Sequence, residues 1–548
     1  MSHSSTLLHV LLMPLRQLVS YKPQTFTGGR QWLTAALLGL LLIPGAASAT
    51  DASSQLVMVL GAEPDGGFDP IMGWGKYNHP LIQSTLLKRG RDSRMIGDLA
   101  TSWQLSDNRR QWHVTLRSGV RFSDGSPLTS ADVAFTFNTA KKAAGVQDLS
   151  NLQQVSVVSD TELVFTLAQP DLGFLDTLAE LGIVPRHGYG PRYGQHPVGS
   201  GPFKLVRWDK GQQLVLEANP YYRSADAGQS LLKTPFFKRL VIVFADEDSR
   251  FALLRTGQLQ LAALAPRYAS GVEQLGQYRL WPLQSVDNRG IAWPMAPQRN
   301  EITAEPVVRQ AFDLALDRQQ LVQALLGGFA SSAWSIADGL PWGGVAPDWA
   351  AMPMAERYVK AKQLLAQQGW QMAADGVRYK KGTALRFSLY YLAGDSIREQ
   401  LALACAQMVR PLGFDVQVHG DSWENIYKVM HHSPVLFGFG SLSANELRLT
   451  HLGAQGGKGY FNSGYYANPL VDKALAQARE AVSVADAKPY WQQAQMLIAQ
   501  DRPWSWLVNL QHLYATAPCL DLGKPLIEPH GHGWPITNNI SEWRWQCR

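Results

Sequence analysis

A chain of 548 residues is too long for one hydrophobic core, which stops growing near roughly 250–300 residues, so two large lobes are expected. Apolar residues make up 46% and charged residues 17%, a globular balance that excludes a disordered chain. The net charge of +6 is carried without a cluster of Lys and Arg among aromatics, which excludes a nucleic-acid footprint.

In chain order, Lys22 and Arg30 precede the apolar run Leu33–Ile43, followed by Pro44 and the small residues Gly45-Ala46-Ala47-Ser48-Ala49. A basic flank, a short apolar run and an A-x-A site are the layout of a cleavable secretory signal, with cleavage expected after Ala49. A spanning helix needs about 20 apolar residues, and this run stops at Pro44. No Cys stands at the cleavage site to take a lipid anchor. Residues 1–49 are therefore read as a signal peptide, with Met13 as an alternative start, and the remainder as a soluble periplasmic protein.

Gln55–Gly61 alternates as a strand, and Gln111–Leu116 and Val120–Phe122 read as two more. The turn Ser123-Asp124-Gly125-Ser126-Pro127 leads to a helix start at Thr129-Ser130-Ala131-Asp132, whose hydroxyl and carboxylate groups cap free N–H groups, and helical periodicity runs from Val133 to Lys142. Val155–Val158 and Glu162–Leu167 predict a strand pair, Lys204–Arg207 and Gln213–Glu217 a hairpin turning at Lys210-Gly211, and Leu240–Phe244 a further strand. Later, Pro306–Leu326, Met354–Gln368, Ser396–Leu412 and Pro469–Val482 carry the 3.6-residue period, interleaved with strands at Leu385–Tyr391, Asp415–His419 and Val435–Phe439. That is α/β organisation. Trp504–Val508 and His512–Thr516 return to strand character before a Gly/Pro/His-rich tail. Cys405 falls in an apolar helical pattern and is expected to be buried, while Cys519 and Cys547 are a candidate disulfide in an oxidising compartment.

Several segments resemble family 5 extracellular solute-binding proteins, the dipeptide-, oligopeptide- and nickel-binding group. They are Leu99-Ala100-Thr101-Ser102-Trp103, then Trp112, then Leu116 through Val133 with its Phe122-Ser123-Asp124-Gly125-Ser126-Pro127 core. Gly199-Ser200-Gly201-Pro202-Phe203, Val308-Arg309-Gln310-Ala311-Phe312 leading to Asp317-Arg318, Ala361 to Trp370, and Tyr465-Tyr466-Ala467-Asn468-Pro469 with Val471-Asp472 follow in family order. The resemblance implies a two-lobed periplasmic binding protein of type II, cluster C-like, with an extra subdomain at about 96–197 on the first lobe. The first lobe would hold 50–299 and 506–548, and the second 300–505. It further implies a monomer that delivers a solute to an inner-membrane ABC permease and its separate ATPase. Most of these motif residues are scaffold and report fold, not cargo.

The cargo has to be read from other residues. In Pro529-His530-Gly531-His532-Gly533-Trp534-Pro535, an extended chain would project His530 and His532 to one face, and imidazole suits nickel, copper, zinc and iron. The family resemblance implies that the cleft face also uses the segment after the first strand, Gly67-Phe68-Asp69-Pro70-Ile71-Met72-Gly73-Trp74-Gly75-Lys76-Tyr77-Asn78-His79, so that His79 would supply a third nitrogen. One early and two late histidines resemble periplasmic nickel-binding proteins with direct histidine ligation, so nickel is the expected cargo, held by His79, His530 and His532. Water, a small carboxylate or free histidine would complete the shell, and affinity would fall below about pH 6.5 as the imidazoles protonate. Glu446 is a candidate acid reaching across the cleft, and Trp74, Trp293, Trp342 and Trp534 are candidate cleft walls. His431-His432 reads as surface and His113 as structural. Peptide-binding relatives often carry an acidic element on the second lobe, and Phe437-Gly438-Phe439-Gly440-Ser441-Leu442-Ser443 has no acid. That weakens the alternative of a dipeptide or oligopeptide cargo without removing it. With neither Gly-x-Ser-x-Gly nor a Walker A loop, no enzyme and no catalytic cofactor are expected; a metal-dependent hydrolase is the remote rival.

Overall fold

The structure is a computed structural model that describes residues 54–547 apart from 62, 65, 78–80, 144–146, 223, 227–228, 341, 345 and 532–533. The signal peptide read at 1–49 lies outside the described residues, as do His79 and His532. No helix among the described residues is long and apolar enough to cross a membrane.

One mixed sheet of eleven strands runs through a two-lobed α/β fold. From edge to edge its path is Asp415–Asp421, Arg386–Leu392, Val435–Phe439, Arg279–Ala292, Trp504–Thr516, Leu261–Leu264, Gln55–Val59, Arg239–Val243, Gln213–Ala218 and Phe203–Asp209, with Ala330–Ser332 pairing off that path. The two long antiparallel strands at the centre, Arg279–Ala292 and Trp504–Thr516, carry the sheet from one lobe to the other. Hydrophobic packing changes hands within them. Leu513, Tyr514 and Ala515 pack with Leu56, Val59 and Leu261, whereas Ile291, Trp293, Val508 and Leu510 pack with Phe312, Leu401 and Phe414. The chain thus passes between cores inside the two strands.

The ladder between these strands holds from Arg279–Gln284 against Gln511–Thr516, breaks, and resumes at Asn288. In the gap the C-terminal tail pairs instead. Glu528 N–H donates to the Gln284 carbonyl at 3.0 Å, and Val286 N–H donates to the Glu528 carbonyl at 2.9 Å. Irregularities of this kind re-aim side chains beside binding sites.

The subdomain is a four-stranded antiparallel sheet, Ala100–Leu105, Gln111–Leu116, Glu162–Leu167 and Leu152–Ser159, covered by the helix Ser130–Ala143. The Asp132 carboxylate accepts both the Thr129 N–H at 3.0 Å and the Thr129 hydroxyl at 3.1 Å, as the capping pattern predicts. Phe122, Phe137, Phe165 and Leu178 fill its core.

Three elements differ from the sequence expectation. Val120–Phe122 is no strand, because Phe122 N–H closes the turn onto the Ser126 carbonyl and leaves only an isolated bridge at Arg121. The helix expected over Pro306–Leu326 ends at Leu314, and a second start is capped by Asp317, whose side chain accepts from Gln320 N–H before a π-turn at Leu321–Leu325. The strands expected at Trp504–Val508 and His512–Thr516 are one continuous strand, since every residue between them pairs with a neighbour or is bridged across the gap. Cys519 and Cys547 form a disulfide with Cα atoms 5.2 Å apart, fastening the strand pair Leu520–Asp521 and Arg544–Trp545 at the two ends of the tail. Cys405 is buried.

Candidate functional site

The broken ladder sets the floor of the cleft between the lobes. Asp287 follows the residue bonded to Glu528, so its carboxylate faces the tail. Asp287 Oδ1 lies 2.6 Å from His530 Nδ1, and Oδ2 lies 2.9 Å from His512 Nε2. The other His512 nitrogen lies 2.5 Å from Glu528 Oε2, which also accepts the Tyr514 hydroxyl at 2.8 Å. With a carboxylate on each side, both His512 nitrogens must donate, so the ring is an imidazolium. Burial pushes its pKa down, but Asp287 and Glu528 overcome this and hold it up at about 9. Arg289 also donates to Asp287. Burial alone would raise the Asp287 pKa; Arg289, His530 and His512 together hold it well below the usual carboxylate range.

A proton on the His530 nitrogen that faces Asp287 makes Nε2 the acceptor nitrogen of the ring. Burial lowers its pKa against the pull of Asp287. Its backbone N–H donates to the Gly440 carbonyl of the second lobe at 2.8 Å. Gly440 permits this approach, since a Cβ there would fall 2.2 Å from the Val286 carbonyl oxygen. Gly438 likewise leaves room for a neighbour, because a Cβ there would meet Arg289 Nη1 at 2.4 Å.

Above the floor, the segment ending at Tyr77 reaches the opposite lobe. The Tyr77 hydroxyl donates to Glu446 Oε1 at 3.1 Å, and Lys76 Nζ lies 4.0 Å from the ring centroid of Phe461. Glu446 is buried at the start of the helix Asn445–His451 and so meets the first lobe across the cleft. Burial raises its pKa against the opposing pull of Lys76. Nearby Glu180 is pushed up to about 7 by burial and by the Asp176 carboxylate. A cavity of about 50 Å³ opens beside these groups, with Arg89 and Arg91 on one wall, Glu180 and Ser441 on another, and Pro529 next to His530. Tyr77 and Trp534 both hold left-handed backbone, at φ 77° and 57°, an uncommon conformation for bulky residues.

The four tryptophans expected to wall the cleft belong instead to the core. Trp74 and Trp534 pack edge to face at 5.0 Å beneath the tail. Trp293 is fully buried against Phe312 and donates its N–H to Ser505, and Trp342 packs on Trp491. Their bulk is used where the sheet needs filling. His431 bonds the Ser463 carbonyl, His432 is exposed, and His113 is exposed on its strand. Among the described residues no group of three or more His, Cys, Asp or Glu could hold a metal ion. Asp287, His512 and Glu528 were not anticipated. The polar run Asp287-Asn288-Arg289 inside a strand that ends in Ile291-Ala292 was their available signal, since central strands are otherwise apolar.

Residues 94–445 match the family described as bacterial extracellular solute-binding proteins, family 5 Middle. The chain belongs to family 5 of these solute-binding proteins. Protein XP55 of Streptomyces lividans is 32% identical over 484 residues, which is 85% of this chain and 86% of that protein. The oligopeptide-binding protein AppA of Bacillus subtilis is 28% identical over 78% of this chain and 80% of its own. Among solved structures, NikZ from Campylobacter jejuni in complex with Ni(L-His) superposes with a TM-score of 0.77, covering 90% of this chain and 99% of that one at 23% identity. At that identity the likeness shows the fold alone. As a family 5 member, the protein is the solute-binding component of an ABC importer, a transport binding protein working with a permease and an ATPase.

Proposed function

We propose that this family 5 protein captures nickel, as the ion or as a small amino-acid chelate, in the periplasm and delivers it to an inner-membrane permease. The observation that supports the reading is His530, an imidazole in the interlobe cleft whose Nδ1 lies 2.6 Å from a buried carboxylate. Metal-ligating histidines nearly always have their second nitrogen held this way. His79 and His532 are the proposed partner ligands, following the sequence reading. The cavity of about 50 Å³, which Pro529 next to His530 lines, has basic and acidic walls that suit a zwitterionic chelator. Lobe closure follows from ligand contacts made on both sides, because a ligand shifts such an equilibrium only by its differential affinity.

A peptide cargo is the second reading, favoured by the oligopeptide-binding relative AppA and by the probable D,D-dipeptide-binding protein DdpA of Escherichia coli, 26% identical over 76% of this chain. Isothermal titration of chelator-stripped protein with Ni²⁺, then Ni²⁺ with L-histidine, then a dipeptide panel, separates the two. One-to-one nickel binding lost in His530→Ala/His532→Ala supports the metal reading. Heat from the dipeptides alone replaces it with the peptide reading.

A further inference from the structure

We infer that Asp287 is a positioning residue of the cargo site, fixing the ring of His530 so that Nε2 is presented to a divalent d-block ion. The inference rests on the nickel reading and adds to it the group on the hinge strand that sets the ligand's geometry.

Asp287 has enough partners to be buried without His530. Arg289 donates to it from two residues along the same strand, and His512 donates at 2.9 Å. The third donor, at 2.6 Å, is the imidazole of the tail. Local structure makes this contact deliberate. The ladder breaks between Gln284 and Asn288, the tail inserts at Glu528, and two residues later the His530 N–H is anchored on Gly440. His530 is thus held at its backbone by one lobe and at its ring by the strand that joins both. Glu528 and His512 complete a line of alternating charge, carboxylate, imidazolium, carboxylate, which keeps Asp287 from rotating away. A carboxylate on Nδ1–H raises the basicity of the opposite nitrogen and fixes its direction, and loss of such partners typically costs about 10–100-fold in metal affinity.

The test is a double-mutant cycle in Ni²⁺ affinity across wild type, Asp287→Asn, His530→Ala and the pair, with the Ni²⁺ d–d absorption recorded for each. Asp287→Asn is near-isosteric, and thermal melts of all four proteins check that they are folded. The expected result is an affinity loss of about 10–100-fold for Asp287→Asn with a shifted d–d band. In the His530→Ala background the same change should then cost no more than about twofold. Equal losses in both backgrounds, or an unshifted band at unchanged affinity, would overturn the inference while leaving the nickel reading intact. Should Asp287→Asn fail to fold, Glu528→Gln, which loosens His512 and through it Asp287, is put through the same cycle under the same criteria. A wild-type protein that binds no Ni²⁺ with or without L-histidine overturns both.

Discussion

Two sets of buried charge hold this protein together, one under the cleft floor and one along its rim, and they differ in what they resist. The floor set, Asp287, Arg289, His512, Glu528 and His530, is built on strands and tail that both lobes share. The rim set joins the subdomain to the second lobe: Asp148 with Arg448 at 2.5 Å and Asp171 with Arg479 at 2.6 Å, with Asn445 donating to the Gly173 carbonyl at 3.0 Å. Floor contacts are made within the central strands and the tail paired to them. Rim contacts cross from the subdomain to the second lobe, so separating the two has to break them. The lesson is that similar ion pairs can serve folding in one place and a conformational equilibrium in another.

The largest effect should come from breaking the floor. Asp287→Ala leaves Arg289 and His512 buried without their shared acid, and is expected to lower the unfolding free energy by about 3–5 kcal/mol, read by urea denaturation. A loss below about 1 kcal/mol would mean the floor is no sturdier than a surface pair. On the rim, Arg448→Ala should leave the urea midpoint closer to wild type but cost closure about 1.5–3 kcal/mol. Small-angle scattering of cargo-free protein would then show a larger radius of gyration, and an unchanged radius would remove the rim from the closure mechanism.

Acidity and alkalinity separate the two sets further. Burial raises the Asp148 pKa, but Arg448 overrides it and brings the group down to about 2. Its contribution is therefore present above the ordinary carboxylate range and lost as pH falls through about 2. His512 has the opposite sign: held at about 9, it stabilises fully below the ordinary imidazole value and loses that contribution as pH rises through about 9. The melting temperature of wild type should fall between pH 7 and 10, and Glu528→Gln should flatten that slope; an identical slope in the variant would detach His512 from it. The smallest effect is expected at Tyr77→Phe, which removes one hydrogen bond to Glu446 and should weaken closure by about 0.5–1.5 kcal/mol, read as a modest drop in cargo affinity.

How much was legible divides along the same line. Strands such as Glu162–Leu167 and Val435–Phe439 were readable to the residue, because alternation and burial are written locally. The family motifs located the scaffold, as Asp132 capping its own helix shows. The helix over Pro306–Leu326 was misjudged because Asp317 can cap a second start as readily as it can sit on a helix face, and only tertiary packing chooses. The floor was hidden for a different reason. His530 and Asp287 are 243 residues apart, and nothing local to either announces the other. The tryptophans misled because bulk and an N–H suit a core as well as a cleft, as the burial of Trp293 shows.

The break in the central ladder has a mechanical consequence. When two bodies turn about an axis, a point moves in proportion to its distance from that axis. Asp287 sits on a strand that joins the lobes and His530 on the tail bonded to it, close to the fulcrum, while Arg448 and Arg479 ride at the end of the lever. A rotation of the lobes about these strands therefore moves the rim much farther than the floor.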